Sequence, residues 1–571
     1  MCGLVWVAHE AAAEIAPAAL RRLQYRGYDS FGFAWPDASG ITGSRSLEDL
    51  REFHEELPSS SMVLAHTRWA THGRVSLENC HPHRDGSGRF ALAHNGIISN
   101  HREFLLQAQS HAQDSDTAIL SQYFSALLDQ GHTPEGAFEA VVSKMQGRNA
   151  LLVMMAGGEV FAYRNGSPLV LVQLQDGIGL ASDVHALGAE TVACCTLADH
   201  ARVVCRGGQV HVNGALPRWQ ALPVTQYAAD VAVGTARRAG HFMRQEILEQ
   251  WQSVTSSLPQ RDQLEKLRAL LQGQQRILVT GAGGAGIVAQ QIAHFLKVRA
   301  GFSALGISAC EFAYQQAHSS GACLLAISQS GETADTLVAI EQARSWGMPV
   351  VTLVNMPLST MAEVADLNFS LGAGPEQCVL STKSATAQIS FGYWCAALLA
   401  GTDIAVRAEL QDLGVTLSQI LEPGLFSHFD KAVDYLANRD TLFLLGQGAH
   451  FASAQLGALN LKEASYIHAE AFSAGELKHG VLALVETGTP VILFGLDVDP
   501  YMQGVAAELK SRGAMILAVG STAGDIYLPD PGNGHPVSEP ISCQILAYLL
   551  ARRRGLDPDR PRNLAKSVTV L

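Results

Sequence analysis

Position two of the chain is a cysteine, followed by a glycine. If Met1 is removed, Cys2 becomes a nucleophile that carries its own base, the free α-amine. Such an amine has a pKa near ~7.7–8.0, so near neutral pH a useful fraction of it accepts the thiol proton. A cysteine at that position arises by chance in many chains. The weight therefore falls on Tyr25-Arg26-Gly27-Tyr28-Asp29-Ser30, on His66-Thr67-Arg68-Trp69-Ala70-Thr71-His72-Gly73 and on His94-Asn95-Gly96. Taken singly these are ordinary, since His-Asn-Gly is most often a turn and an Arg-Trp pair is most often packing. A second stretch with chemistry in it is Ser328-Gln329-Ser330-Gly331-Glu332-Thr333, after an apolar run at 323–327 and before the helical Ala334-Asp335-Thr336-Leu337-Val338. Free N–H groups at a helix start, ringed by hydroxyls and an amide, make a phosphate cradle that needs no lysine. A plain N-cap would need one hydroxyl, not this density.

In this order, Cys2, Arg26, the 66–73 stretch, Asn95-Gly96 and Ser115-Asp116-Thr117 resemble the N-terminal-nucleophile glutaminase domain of glutamine amidotransferases. The resemblance implies that Cys2 attacks the glutamine amide. The Asn95 side-chain amide and the Gly96 N–H would then meet the negative charge on oxygen, usually the largest catalytic term. The forked guanidinium of Arg68 suits the α-carboxylate, and Asp116 matches the position that takes the α-ammonium. Arg26, Trp69, Thr71 and His72 complete the implied glutamine-binding set, with Trp69 at the gate of an ammonia channel.

These residues need elements to hold them. Apolar runs at 4–7, 62–65, 90–93 and 150–154 predict buried strands, mixed with helices, up to about residue 215. Periodicity alone gives α+β; the resemblance implies two sheets stacked between helices, a four-layer αββα domain over 2–215. Residues 216–262, with Pro217, Pro223 and a helical Phe242-Met243-Arg244-Gln245-Glu246-Ile247-Leu248, predict an ordered linker. Two α/β segments follow, 263–402 and 403–555, with a tail at 556–571. The first should hold strands at 276–280, 323–327 and 350–354, and the second at 441–445, 491–494 and 515–519. Alternating helices make these parallel βαβ units, a loose internal repeat in which each copy opens with a strand and a glycine loop. Gly281, Gly283 and Gly286 satisfy the dinucleotide fingerprint, yet no acidic residue follows before Glu311, so nicotinamide binding is not expected.

The 328–333 stretch resembles the phosphosugar motif of sugar isomerase (SIS) domains, which are flavodoxin-like parallel sheets. The resemblance implies a sugar-phosphate pocket from Gly281, Ala282, Ser328, Gln329, Ser330, Thr333, Val379, Ser381 and Ala565. Leu461-Lys462-Glu463 and Gly475-Glu476-Leu477-Lys478-His479-Gly480 match the isomerase site, where Glu463 would move a proton and His479 would open the sugar ring. In the tail, Lys566 matches the lysine that condenses with the ketone. The whole order resembles the glutamine–fructose-6-phosphate aminotransferase family, which implies no cofactor or metal and a homodimer. Two positions depart from it: Asn460 stands where that family has a lysine, and Gly283 where it has a serine. A related amidotransferase acting on another ketose phosphate is the alternative, and a sugar-phosphate sensor without catalysis a more distant one.

Bulk numbers bound the rest. The 571 residues suggest three or four domains, and 47% apolar residues are ample for large cores. Forty Lys and Arg against 53 Asp and Glu give a net charge of −13, which argues against a nucleic-acid partner. No apolar run is long enough for a membrane span and no signal-peptide pattern opens the chain, so a cytoplasmic protein is expected. The ten cysteines show no metal spacing, and Cys194-Cys195 should be buried thiols.

Overall fold

A computed structural model describes residues 2–70, 73–108, 115–221, 240–259, 261–315, 321–356, 358–520, 526–527 and 536–569. Its contacts group the chain into two compact units, Met1–Val233 with Ala565–Leu571, and Gly234–Leu564.

The first unit opens with β1 (Gly3–Ala8), α1 (Ala12–Arg22), β2 (Ser30–Asp37), β3 (Gly40–Ser46), β4 (Met62–Arg68), β5 (His83–Arg84) and β6 (Phe90–Gly96). Three helices follow, α2 (His101–Ala108), α3 (Asp116–Asp129) and α4 (Pro134–Val142), then β7 (Asn149–Met155), β8 (Val160–Asn165), β9 (Val170–Leu174) and β10 (Gly177–Ala181). The last strands are β11 (Thr191–Thr196), β12 (Ala201–Arg206), β13 (Gln209–Val212) and β14 (Gln220–Ala221). Among the described residues they form two antiparallel sheets, β14-β11-β9-β10-β1-β4-β2-β3 and β13-β12-β8-β7-β6-β5. Side chains alternate across each strand, so Leu4, Trp6 and Leu64 from one sheet meet Ala91, Ala93 and Leu152 from the other in a buried core. The opposite face of β6 and β7 carries Phe90, Leu92, Leu151 and Val153 against Phe124 and Phe138 of α3 and α4, while α1 covers β1 and β4. The result is the αββα sandwich. The caps are local: Ser115 accepts from the Ala118 N–H (3.1 Å) to start α3, and Thr133 from the Gly136 N–H (3.1 Å) to start α4.

The second unit contains two parallel sheets. The first comprises β15 (Arg276–Gly281), β16 (Ala304–Ser308), β17 (Ala322–Ser328), β18 (Val350–Val354) and β19 (Leu367–Ser370), ordered β16-β15-β17-β18-β19. The second comprises β20 (Thr441–Gly446), β21 (His468–Ser473), β22 (Pro490–Leu493), β23 (Met515–Gly520) and β24 (Ile526–Tyr527), ordered β21-β20-β22-β23-β24. Both are the flavodoxin-like 2-1-3-4-5 arrangement, in which ligands bind at the carboxyl ends of the strands where the order reverses. The six strands expected in this half are present, and β16, β19, β21 and β24 are additional, the short or half-exposed ones that carry little hydrophobic signal. Pro223 of the expected linker lies outside the described residues. The helix Phe242–Leu248 and the one after it, Gln250–Ser256, lay Met243, Ile247 and Val254 into the core of the second unit. All ten cysteines are free, Cys194 and Cys195 buried. No helix among the described residues is long and apolar enough to cross a membrane.

Candidate active site

The period-two alternation that fills the sandwich core also builds the first site. Leu4 and Trp6, Leu64, and Ala91 and Ala93 face the space between the sheets. Continuing each strand by two residues brings Cys2, His66, Arg68 and Asn95 onto the same face, so the core turns polar at one end. Gly3 pairs with Thr67, which sets Cys2 level with Arg68. The Trp69 N–H donates to the Cys2 Sγ at 3.2 Å. Burial pushes the Cys2 thiol up, against the smaller downward pull of the amino-terminal charge, the Trp69 amide and Arg68. A thiol held that way needs a base close by, which the α-amine of a processed chain would be.

Asn95 Nδ2 donates to the Cys2 carbonyl at 2.9 Å. Its Oδ1 lies 3.0 Å from His66 Nε2, which is also 3.2 Å from the His94 carbonyl. Gly96 ends β6 with φ +127, and a Cβ there would lie 2.0 Å from the Arg148 carbonyl oxygen, so no other residue fits. His94 faces the helical layer instead, with Nε2 2.8 Å from Asn149 Oδ1 and Nδ1 3.0 Å from the Thr117 hydroxyl. It thereby ties the strand carrying Asn95 to the start of α3. At that start Asp116 is buried and accepts from the Ile98 and Thr117 N–H groups at 2.9 and 2.8 Å.

Arg68 is 4% exposed and donates to the Arg74 carbonyl (3.2 Å). Asn79 grips that same carbonyl at 3.2 Å and accepts from the Ser115 N–H at 3.1 Å, so one side chain holds the segment after β4 against the residue before Asp116. Trp69 meets Tyr28 edge-on, with ring centroids 5.5 Å apart. Arg26 is spent on a buried pair: Nη2 lies 2.7 Å from Asp183 Oδ2, and Nε donates to the Tyr25 hydroxyl at 3.0 Å. Burial alone would raise the Asp183 carboxyl, but Arg26 beside it holds it well below the usual carboxylate range. Thr71 and His72 lie outside the described residues.

In the second unit three segments converge at the carboxyl edge of the first parallel sheet. The turn after β15 has Gly283 at φ 56, ψ −127, a conformation glycine alone adopts without strain, with open space where a Cβ would be. Gly281 and Gly286 let strand and helix approach, since a Cβ on Gly286 would lie 2.9 Å from the Gly281 carbonyl oxygen. The fingerprint glycines therefore have structural reasons of their own. After β17, the Gly331 N–H donates to Ser328 Oγ (3.0 Å), the Glu332 N–H to Ser330 Oγ (3.2 Å), and the Ser328 and Thr333 hydroxyls stand 3.3 Å apart. Glu332 turns away and accepts from the Thr360 N–H and hydroxyl, both at 2.8 Å. The third segment precedes the helix Lys383–Leu399. There the Ser381 hydroxyl pairs with that of Ser384 (2.8 Å), the Val379 N–H reaches the Asp559 carbonyl (3.4 Å), and a Cβ on Gly284 would lie 3.5 Å from Ser381 Cβ. Beneath it, the buried Glu246 accepts from the Gln377 and Cys378 N–H groups at 2.6 and 3.0 Å.

The helix Ala449–Ser465 turns Leu456 and Leu459 toward Gly284. Glu463, seven and four residues further on, continues that stripe and is half-buried. Asn460 is 3% exposed and its Oδ1 has no hydrogen-bond partner. His479 ends a short 3-10 turn, Ala474–His479, and is exposed. Ala565 and Lys566 belong to the first unit. Among the described residues no cluster of three His, Cys, Asp or Glu could hold a metal.

Comparison with known proteins covers both units. The SIS domain family model matches residues 270–398 and 435–527. A glutamine–fructose-6-phosphate aminotransferase (isomerizing) of Shouchella clausii is 34% identical over the full length of both chains, and one of Sulfurisphaera tokodaii is 30% identical, again over both full lengths. The chain belongs to the glutamine–fructose-6-phosphate aminotransferase family. A solved C-terminal domain of glucosamine-fructose-6-phosphate aminotransferase from Francisella tularensis covers 56% of this chain and 98% of its own, at 28% identity and a TM-score of 0.52.

For a glutamine–fructose-6-phosphate aminotransferase, the motifs named from sequence are brought together in two places. Cys2, Arg68, Trp69 and Asn95 gather at one end of the sandwich, and 281–284, 328–333 and 378–383 at one edge of a parallel sheet. Sequence reasoning gave no role to His66, Asn79, Asn149 or Glu246. Their signals are weak singly; only folding shows His66 and Asn95 to be neighbours across two sheets.

Proposed function

We propose that the chain aminates and isomerises fructose 6-phosphate with glutamine, giving glucosamine 6-phosphate and glutamate. The observation that carries the reading is the Asn95 amide donating to the Cys2 carbonyl at 2.9 Å, an oxyanion donor beside a nucleophile, in a chain whose other half is a phosphosugar fold. Cys2 passes its thiol proton to its own α-amine and attacks the γ-carboxamide. Asn95 Nδ2 and the Gly96 N–H hold the resulting oxyanion. The ammonium returns the proton to the leaving nitrogen, ammonia departs, and water hydrolyses the glutamyl thioester. Arg68 and Asp116 bind the ends of glutamine, while Arg26 supports the wall through Asp183.

Ammonia passes Trp69 to the ketose. Its phosphate is cradled by Gly281, Ala282, Ser328, Gln329, Ser330, Thr333, Val379, Ser381 and Ala565. His479 assists ring opening, Lys566 forms a Schiff base at C2, and ammonia replaces it. Glu463 takes a proton from C1 and returns it to C2. We read the protein as a cytoplasmic homodimer. One observation favours a second reading, a different ketose phosphate: the buried, unpartnered Asn460 carbonyl can accept from a sugar hydroxyl.

The test supplies glutamine labelled with ¹⁵N in its amide, together with fructose 6-phosphate and a panel of ketose phosphates. We expect ¹⁵N in a hexosamine phosphate from fructose 6-phosphate, and a mature chain beginning at Cys2. Label appearing only as ammonia with every ketose would end the synthase reading. Label in a different amino sugar alone would favour the second.

A further inference from the structure

We propose that His66 is the positioning residue that fixes which way the Asn95 carboxamide faces, and so arms the oxyanion donor. The inference rests on the reading that Asn95 Nδ2 stabilises the oxyanion. A carboxamide has two ends, and only one of them can serve. Asn95 sits between the Cys2 carbonyl, 2.9 Å from Nδ2, and His66 Nε2, 3.0 Å from Oδ1. Flipping it would set Oδ1 against the Cys2 carbonyl, two acceptors in contact, and Nδ2 against the imidazole.

The imidazole is itself fixed. Nε2 faces two acceptors, Asn95 Oδ1 and the His94 carbonyl at 3.2 Å, so Nε2 must carry a proton. The other nitrogen, Nδ1, is buried without a partner, and the His81 ring packs 4.3 Å away. A ring with one unpartnered buried nitrogen is costly, and its one satisfied nitrogen points at Asn95. Burial holds the ring pKa down at about 3, so it remains a neutral single-tautomer donor throughout the working range. With His66 N–H occupying the Asn95 oxygen, one amide hydrogen goes to the Cys2 carbonyl and the second is left for substrate. His66 touches no reacting atom; it acts through Asn95.

The experiment is a double-mutant cycle on glutamine hydrolysis by the full chain. Asn95→Ala should lower kcat by about 10²–10³-fold, the usual cost of losing an oxyanion donor. His66→Phe should lower kcat at least about tenfold with little change in KM. In the Asn95→Ala background it should add nothing further. His66→Gln, whose amide N–H reaches the position of Nε2, should recover most of the rate. Alkylation of Cys2 by iodoacetamide, a displacement with no oxyanion, should be unchanged in every variant. Multiplicative losses from His66→Phe and Asn95→Ala, or His66→Gln as slow as His66→Phe, would overturn the inference. An Asn95→Ala protein with normal kcat would instead remove the oxyanion reading itself. Should His66→Phe fail to fold, His66→Asn, too short to reach Asn95, carries the same expectation.

Discussion

The two parallel-sheet repeats share a strand order, a core and a backbone detail, yet only one has a cluster of hydroxyls at the helix start after its third strand. Gly283 (φ 56, ψ −127) and Gly448 (φ 59, ψ −124) make the same turn into the helix that follows the first strand of each repeat. After the third strand, the first repeat reads Ser328-Gln329-Ser330-Gly331-Glu332-Thr333 and the second Phe494-Gly495-Leu496-Asp497-Val498-Asp499. Before the closing helix, the first repeat has Ser381-Thr382-Lys383. The second has Glu539, whose carboxylate lies 2.7 Å from His450 Nδ1, with Gly495 packed against that imidazole. The fold thus supplies the helix starts twice, and only the first is ringed by the hydroxyls that an anion would need. A buried carboxylate and an aspartate are poor company for phosphate, and the second repeat holds an internal pair at that place instead.

Three sets of substitutions test that contrast. The largest effect should come from Glu539→Leu, which removes the buried carboxylate that pairs with His450 Nδ1. Removing one partner of such a pair typically costs ~3–5 kcal/mol. Calorimetry should show the second unit melting lower, while the KM for the sugar phosphate stays within about twofold. A raised KM would mean that the second repeat takes part in binding, and the contrast would break.

Next in size is the double variant Ser328→Ala/Thr333→Ala. Two hydroxyl bonds to a charged group, at roughly 1.5 kcal/mol each, should raise the KM for the ketose phosphate by about 100-fold. Glutamine hydrolysis without sugar should be retained. A change in the second repeat, Gln447→Ala in the turn after β20, should leave the KM alone, although Gln447 accepts from the Ser473 hydroxyl at 3.1 Å. Equal effects from the two would make the repeats functional twins.

The smallest effect should come from Gly283→Ser and Gly448→Ser. Each would force a side chain into a conformation that costs ~1–3 kcal/mol. Both variants should lose a few degrees of thermal stability, and Gly283→Ser should not tighten sugar-phosphate binding despite its added hydroxyl. A Gly283→Ser protein that binds its sugar more tightly at unchanged stability would show that the turn relaxes freely, contrary to its geometry here.

Much was legible from the linear chain because its signals are local. Continuous apolar runs gave β1, β4, β6 and β7, and the apolar-strand-then-glycine pattern gave β15 and β20. The density of hydroxyls after β17 was legible as a turn into a helix start, since helix N-termini and caps are nearest-neighbour effects. Short strands such as β19 and β24 were missed, because four residues or fewer cannot establish a period. The helix Ala449–Ser465 also ends where its sequence gave no warning. Tyr466 adopts a left-handed φ of 58, and the segment His468–Ser473 becomes a strand.

By itself the sequence determined which chemistries were available: a cysteine one cleavage away from a free amine, a carboxamide followed by glycine, and serines at a helix start. Residue type sets nucleophilicity and hydrogen-bonding capacity, and neither requires a partner to be known. Tertiary structure decided which groups meet. The pairing of Gly3 with Thr67 brings Cys2 to Trp69, and the stacking of two sheets brings His66 of one to Asn95 of the other. It also decided that Arg26 would bind Asp183 from the far side of the chain, that Asn460 would be buried, and that the tail from Ala565 to Thr569 would group with the first unit. Contacts between residues far apart in sequence depend on which faces bury together, and no local pattern encodes that.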